Sequence, residues 1–239
     1  MKRLMFPILL ILFVVSGVSA DNSTLLQPWC GNPAIYFSHA NSPDIVGYEG
    51  LKIYPDGVTQ VDENVTAKNT LGQVLIDSYI SSPGLPDVSV IRSGLWRFRT
   101  FHYVSIASGV TTINFTVIKR SSSGSEYVLF SAITDDIDSL IATEYLTSYV
   151  YQNDTTMLPT DRLVIKVYAE STHSSNVVTH FLYEGTTNTS HVVSPLLVCP
   201  TTTTPHPDSS GSGGAIGAAF GLIAGMIGAI IISKRGIQK

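Results

Sequence analysis

Between residues 34 and 198 apolar and polar positions alternate in short runs rich in Val, Ile, Tyr and Phe, broken by Gly, Pro, Ser and Asn clusters. Such runs read as β-strands and the clusters as turns. They predict strands at 34–39, 46–54, 73–80, 95–106, 112–119, 126–133, 144–151, 162–170, 177–184 and 191–198. In 95–106 the even positions Trp96, Phe98, Val104 and Ile106 form an apolar face, with Arg97 and Arg99 opposite. In 162–170 the stripe is Leu163, Ile165, Val167 and Ala169. One-sided alternation marks antiparallel sheets with a wet face. A sustained helical period is lacking; Ile137 to Leu146 comes nearest and predicts a single turn. The fold class expected is all-β, an antiparallel two-sheet β-sandwich. The part before Ser89 is broken by Asn32-Pro33, Ser42-Pro43, Pro55-Asp56-Gly57 and Ser82-Pro83-Gly84, and is either early strands of the same sandwich or a separate small domain.

The two ends follow another pattern. Residues 1–20 join Met1-Lys2-Arg3 to the apolar run LMFPILLILFVV and the small residues Val18-Ser19-Ala20, the layout of a cleaved signal peptide. Gly213 to Ile232 is an uncharged apolar run, and twenty residues at ~1.5 Å rise span about 30 Å, a bilayer core. It predicts one C-terminal transmembrane α-helix with residues 233–239 as a short basic cytoplasmic tail. Gly213, Gly217, Gly221 and Gly225 fall on one helix face, where a partner helix or a second copy can pack backbone to backbone. Residues 200–212, rich in Thr, Ser and Pro, read as an extended stalk that resembles O-glycosylated ones. The expected domains are therefore 1–20, an ectodomain at 21–199, the stalk at 200–212, the span at 213–232 and the tail at 233–239. The location expected is a cell surface or a virion membrane, with the N-terminus outside.

Charge sharpens this picture. Removing Lys2, Arg3, Lys234, Arg235 and Lys239 from the 14 basic residues leaves 9 against 18 acidic ones in the exposed part. A field of that sign repels phosphate backbones, so no nucleic-acid partner is expected. Cys30 and Cys199, the two cysteines, stand at either end of the ectodomain and are expected to form one disulfide. Sequons begin at Asn22, Asn64, Asn114, Asn153 and Asn188 and mark glycosylation sites if the host has that pathway. Asn114 lies in the alternation Ile113-Asn114-Phe115, whose other members face inward, so it is expected to face out.

From Gly94 onward the text has a familiar order. Gly94-Leu95-Trp96-Arg97-Phe98 is followed by Ser125-Glu126-Tyr127-Val128-Leu129-Phe130. Then come Pro159-Thr160-Asp161-Arg162-Leu163-Val164-Ile165-Lys166 and Phe181-Leu182-Tyr183-Glu184-Gly185-Thr186. Residues 90 to 198 resemble the jelly-roll β-sandwich of phage tail and baseplate-type proteins and of some archaeal and large-virus surface proteins. The resemblance implies a jelly-roll-like ectodomain with a structural or host-contact role and no catalysis. The signal peptide, stalk and anchor depart from tail proteins and move the module onto a membrane.

Catalytic signatures are missing: there is no G-x-S-x-G, no H-E-x-x-H and no phosphate-cradling loop. His39, His102, His173, His180, His191 and His206 are scattered, though His180 and His191 could meet across a sheet. Asp135-Asp136-Ile137-Asp138 reads as a solvated turn rather than a Ca²⁺ loop. Arg97 and Arg99 read as the wet face of a half-buried strand. No metal and no cofactor is expected. The expected function is a non-enzymatic, single-pass membrane-anchored surface protein with a structural or adhesive role toward a glycan or host-surface ligand. The alternative is a carbohydrate-binding or carbohydrate-processing sandwich.

Overall fold

A computed structural model describes residues 29–41, 44–55, 57 and 59–200. Among them are fourteen strands. They are β1 (Ala34–Asn41), β2 (Glu49–Lys52), β3 (Gln60–Ala67), β4 (Val74–Ser81), β5 (Val90–Ile91), β6 (Gly94–Val104) and β7 (Thr111–Arg120). They continue with β8 (Glu126–Ile133), β9 (Thr143–Tyr151), β10 (Thr155–Thr156), β11 (Arg162–Ser171), β12 (Val177–Glu184), β13 (His191–Val193) and β14 (Leu197–Val198). The large sheet has the order β3-β12-β6-β13-β1-β2-β4-β11-β7-β8, with β9 on the other side of β6. It curls into a sandwich, so that β3 comes to lie beside β4 and β8 beside β9. A small sheet, β10-β5-β14, stands apart.

The alternation explains the layers. Trp96, Phe98, Thr100, His102 and Val104 of β6 all face inward and are at most 1% exposed. Opposite them, Ile113, Phe115 and Val117 of β7 are fully buried. Phe98 stacks on Phe115 at 4.9 Å and Trp96 meets Phe130 at 5.3 Å, which ties the layers together. Each such ring buried stabilises by about 1.5–3 kcal/mol. Strand β11 is covered on both faces, because Val164 joins Ile80 and Ile118 in a second apolar cluster under Ile45 and Tyr48. His102 sits among the rings with Nε2 2.7 Å from Thr100 Oγ1; burial pushes its pKa down to about 3, so the imidazole is neutral.

Several sequence expectations change. Strand β3 was not anticipated, yet it pairs with β12 along its whole length, from Gln60↔Glu184 to Ala67↔Val177. The expected strand 191–198 is two short ones in different sheets, and 46–54 shrinks to β2. Ile137 to Leu146 forms no helical turn: Ile137 is buried in a connection and β9 starts at Thr143. The strands before Ser89 belong to the large sheet, and the described residues through Cys199 form one compact unit. Among the described residues no helix is long and apolar enough to cross a membrane. The expected signal peptide at 1–20, the stalk from residue 201, the span at 213–232 and the tail lie outside them.

Candidate functional site

Inward-facing rows of a sandwich are normally apolar from end to end. Here four rows run out of the core into polar groups. Ile35 and Phe37 of β1 are followed on the same face by His39, and Leu51 of β2 by Glu49. Tyr79 of β4 is preceded by Asp77, and Phe181 of β12 is followed by Tyr183. The pairings Phe37↔Leu51, Asn41↔Glu49 and Glu49↔Tyr79 bring the ends of β1, β2 and β4 to one corner. Edge strand β3, which lies beside β4, adds Glu63, opposite Phe181.

The cluster is tightly connected. His39 Nδ1 lies 2.7 Å from Glu49 Oε1 and 3.8 Å from Glu63 Oε1. The Tyr183 hydroxyl donates to Glu49 Oε2 at 2.6 Å. His39 N–H donates to Glu184 Oε1 at 2.7 Å. Glu184 is held with φ +57°, followed by Gly185 at +67°, a left-handed pair that turns its carboxylate toward β1. Gly57 leaves room for that carboxylate, since a Cβ there would sit 2.8 Å from Glu184 Oε2. Gly57 also lines a cavity of about 390 Å³ with Tyr36, Arg99, Gly185 and His191.

The inner wall is dry and the outer side open. Tyr79 and Tyr183 are 0% exposed, whereas the side chain of His39 is 58% and that of Glu63 33% exposed. Burial raises the Asp77 carboxyl to about 6; the Ser78 N–H opposes this, and the neighbouring Glu49 carboxylate adds to it. Burial also lifts both phenols well above their ordinary range, with the Glu49 carboxylate contributing. The Tyr79 hydroxyl lies beside Tyr183, yet it reaches no partner at hydrogen-bond geometry. One imidazole and two carboxylates whose ligand atoms lie within 4.8 Å of one another can orient a water, share a proton or hold a cation.

The residues singled out in the sequence do not gather here. Cys30 and Cys199 are disulfide-bonded with Cα atoms 5.5 Å apart, beside the small sheet. Asn64 and Asn153 are exposed and Asn188 is partly so. Asn114 was expected to face out; it is only 7% exposed, and its amide oxygen has no partner. Asn22 and the glycines Gly213, Gly217, Gly221 and Gly225 lie outside the described residues. His180 and His191 have separate partners: His180 takes Asp62 and Tyr103, His191 takes Tyr36. Asp136 accepts the Thr111 N–H, a turn contact. Arg97 and Arg99 do face out, and Arg99 pairs with Glu144 at 2.7 Å. The corner residues went unrecognised because they come from four strands. The available signal was a charged residue in an otherwise inward-facing register.

No protein-family model and no curated protein matches the sequence. Solved structures do share the fold. An aminopeptidase from a marine sediment archaeon (Thaumarchaeota archaeon) superposes at TM-score 0.51 with 9% identity, over 70% of this chain and 37% of its own. A CocE/NonD family hydrolase from Staphylococcus aureus gives TM-score 0.50 and 9% identity, over 70% and 36%. The chain thus spans little more than a third of the length of either. Infectious bursal disease virus (Gt strain) matches at TM-score 0.25 with 9% identity, over 69% of this chain and 47% of its own. Of the expected kinship with phage-tail and virus-surface proteins, the structure bears out an all-β, sandwich-like fold. The expectation of a non-enzymatic surface protein, on a virion or a cell, is corrected too. The finding that overturns it is that solved structures sharing this fold include an aminopeptidase and a CocE/NonD family hydrolase. At 9% identity the likeness is one of fold.

Proposed function

We propose that the chain is a hydrolase whose site is the corner formed by His39, Glu49, Glu63 and Asp77. The observation that carries this reading is the 2.7 Å contact between His39 Nδ1 and Glu49 Oε1, on an imidazole open to solvent. A carboxylate at one ring nitrogen orients the imidazole, the arrangement a water-activating base needs. Tyr183 holds the other oxygen of Glu49 and fixes its rotamer. Glu63 Oε1 lies 3.8 Å from His39 Nδ1 at the open side of the corner. The aminopeptidase and hydrolase neighbours support an ester or an amide as the bond cut.

The sandwich is read as jelly-roll in type. The apolar runs at 4–15 and 213–232 support export and a membrane tether for it, and the disulfide suits an oxidising exterior. Among the described residues Asn64 and Asn153 are exposed sequons and Asn188 a partly exposed one, and the glycine stripe would pack against a partner helix. The test of function is direct. Purified full-length protein is assayed against chromogenic acyl esters and aminoacyl anilides. Turnover that disappears in Glu49→Gln supports the reading. No turnover on either series, or full turnover in that variant, refutes it.

A further inference from the structure

We propose that His39, Glu49 and Glu63 bind a divalent transition-metal ion, with Zn²⁺ as the best-matched probe. The inference rests on the hydrolytic reading of this corner and reassigns its parts: with an ion bound, His39, Glu49 and Glu63 would be ligands, and activation of water would rest with the ion and no longer with the imidazole. The donor set is one imidazole nitrogen and carboxylate oxygens, which suits zinc and manganese better than the all-oxygen preference of calcium and magnesium. Ligands bound at ~2.0–2.2 Å stand about 3–4 Å from one another. The separations of 2.7 and 3.8 Å from His39 Nδ1, within a set no wider than 4.8 Å, come to those values by small side-chain rotations. In the ion's absence His39 Nδ1 and Glu49 Oε1 are within hydrogen-bond reach; the ion would take the place of that proton.

The surroundings match a metal centre in three respects. Among the described residues, His39 is the one cation-capable side chain within ion-pair distance of Glu49 and Glu63, while Asp77 and Glu184 add further negative charge. Tyr183 donates to the Glu49 oxygen that would not ligate, the kind of outer partner that orients a metal-bound carboxylate. The third observation is independent of the acids. The hydroxyl of Tyr79, a residue 0% exposed and level with Glu49 on the neighbouring strand, has no hydrogen-bond partner. A buried hydroxyl is seldom left so. A water bound on the inner side of the ion would satisfy it, apart from the open side at His39 and Glu63, where substrate would enter.

Isothermal titration of the chelator-treated full-length protein with Zn²⁺, Mn²⁺ and Mg²⁺ tests this. The expected result is one Zn²⁺ per chain, Mn²⁺ weaker and Mg²⁺ weakest. His39→Ala and Glu63→Gln should each weaken Zn²⁺ binding at least ~100-fold, and Tyr79→Phe about tenfold, as outer-shell partners do. Zn²⁺ should raise the melting temperature of the wild type and leave that of Glu63→Gln unmoved, which keeps the test valid if His39→Ala folds poorly. An absence of saturable binding, or binding undiminished in Glu63→Gln, overturns the proposal. The two readings fail separately. Zn²⁺ binding without hydrolysis refutes the hydrolase and keeps the site; hydrolysis indifferent to chelator with a flat titration does the reverse.

Discussion

The middle of the sandwich interior and its corner are built on the same inward-facing register and differ in what stands there. In the middle, Trp96, Phe98, Phe115 and Phe130 fill the space between the layers with ring on ring. At the corner the inward-facing rows of β1, β2 and β4 end in His39, Glu49 and Asp77, and an edge strand contributes Glu63. Apolar contacts in the middle stabilise the fold. Like charges brought together at the corner work against it, so their placement is explained by chemistry rather than by stability.

The sharpest way to break this contrast is to treat both regions alike. Phe115→Ala should cost about 3–5 kcal/mol, because the ring is fully buried and stacked on Phe98. Urea unfolding would measure it; a loss under ~1 kcal/mol would mean that the middle is not the stabilising region. Replacing Cys30 and Cys199 together by Ser should cost about 2–4 kcal/mol, since the bond closes a loop across 169 residues. Activity at the corner should persist as long as the fold does.

The middle also contains one titratable group, and its effect has a definite sign. The His102 pKa is 6.5 in the unfolded chain and about 3 in the folded one. Between those values the unfolded chain binds a proton that the folded one excludes. Stability is thus fully present above about 6.5 and is lost as the pH falls toward 3. From pH 6.5 to 4.5 the loss should be roughly 2–3 kcal/mol, and His102→Gln should flatten that part of the pH profile. An unchanged slope in the variant would exclude His102 as its cause. The smallest effect belongs to the corner: Glu63→Gln should stay within about 1 kcal/mol of wild type, because it removes one of several crowded charges at a partly open edge.

The same contrast explains what could be read beforehand. Strand β6 was legible because apolar and polar residues alternate along it and burial follows that alternation, and β11 was legible from the stripe Leu163, Ile165, Val167 and Ala169, although Arg162 and Val164 on its other face are buried too. Strand β3 was not. Asp62, Glu63 and Asn64 disfavour a strand locally, and only pairing with β12 overrides them. The strand that was missed is also the one that supplies Glu63. Glu49 and Asp77 are brought together by the parallel pairing of β2 with β4, a long-range contact that local pattern does not encode. Asn114 failed in another way. Its direction on β7 was right, but the second face of the sheet is covered there too. The Cys30–Cys199 bond was accessible from counting alone, with two cysteines in the sequence, one at either end of the expected ectodomain.

The central claim is that the corner exists for chemistry and the middle for stability. Measuring kcat/KM and melting temperature side by side for wild type, His39→Asn and Glu49→Gln, on the best ester or anilide substrate, tests it most directly. The account predicts losses of at least about 100-fold in kcat/KM, the range for removal of an acid–base group, with melting temperatures within ~4 °C of wild type. Retained activity, or activity that falls only in step with the melting temperature, would contradict it.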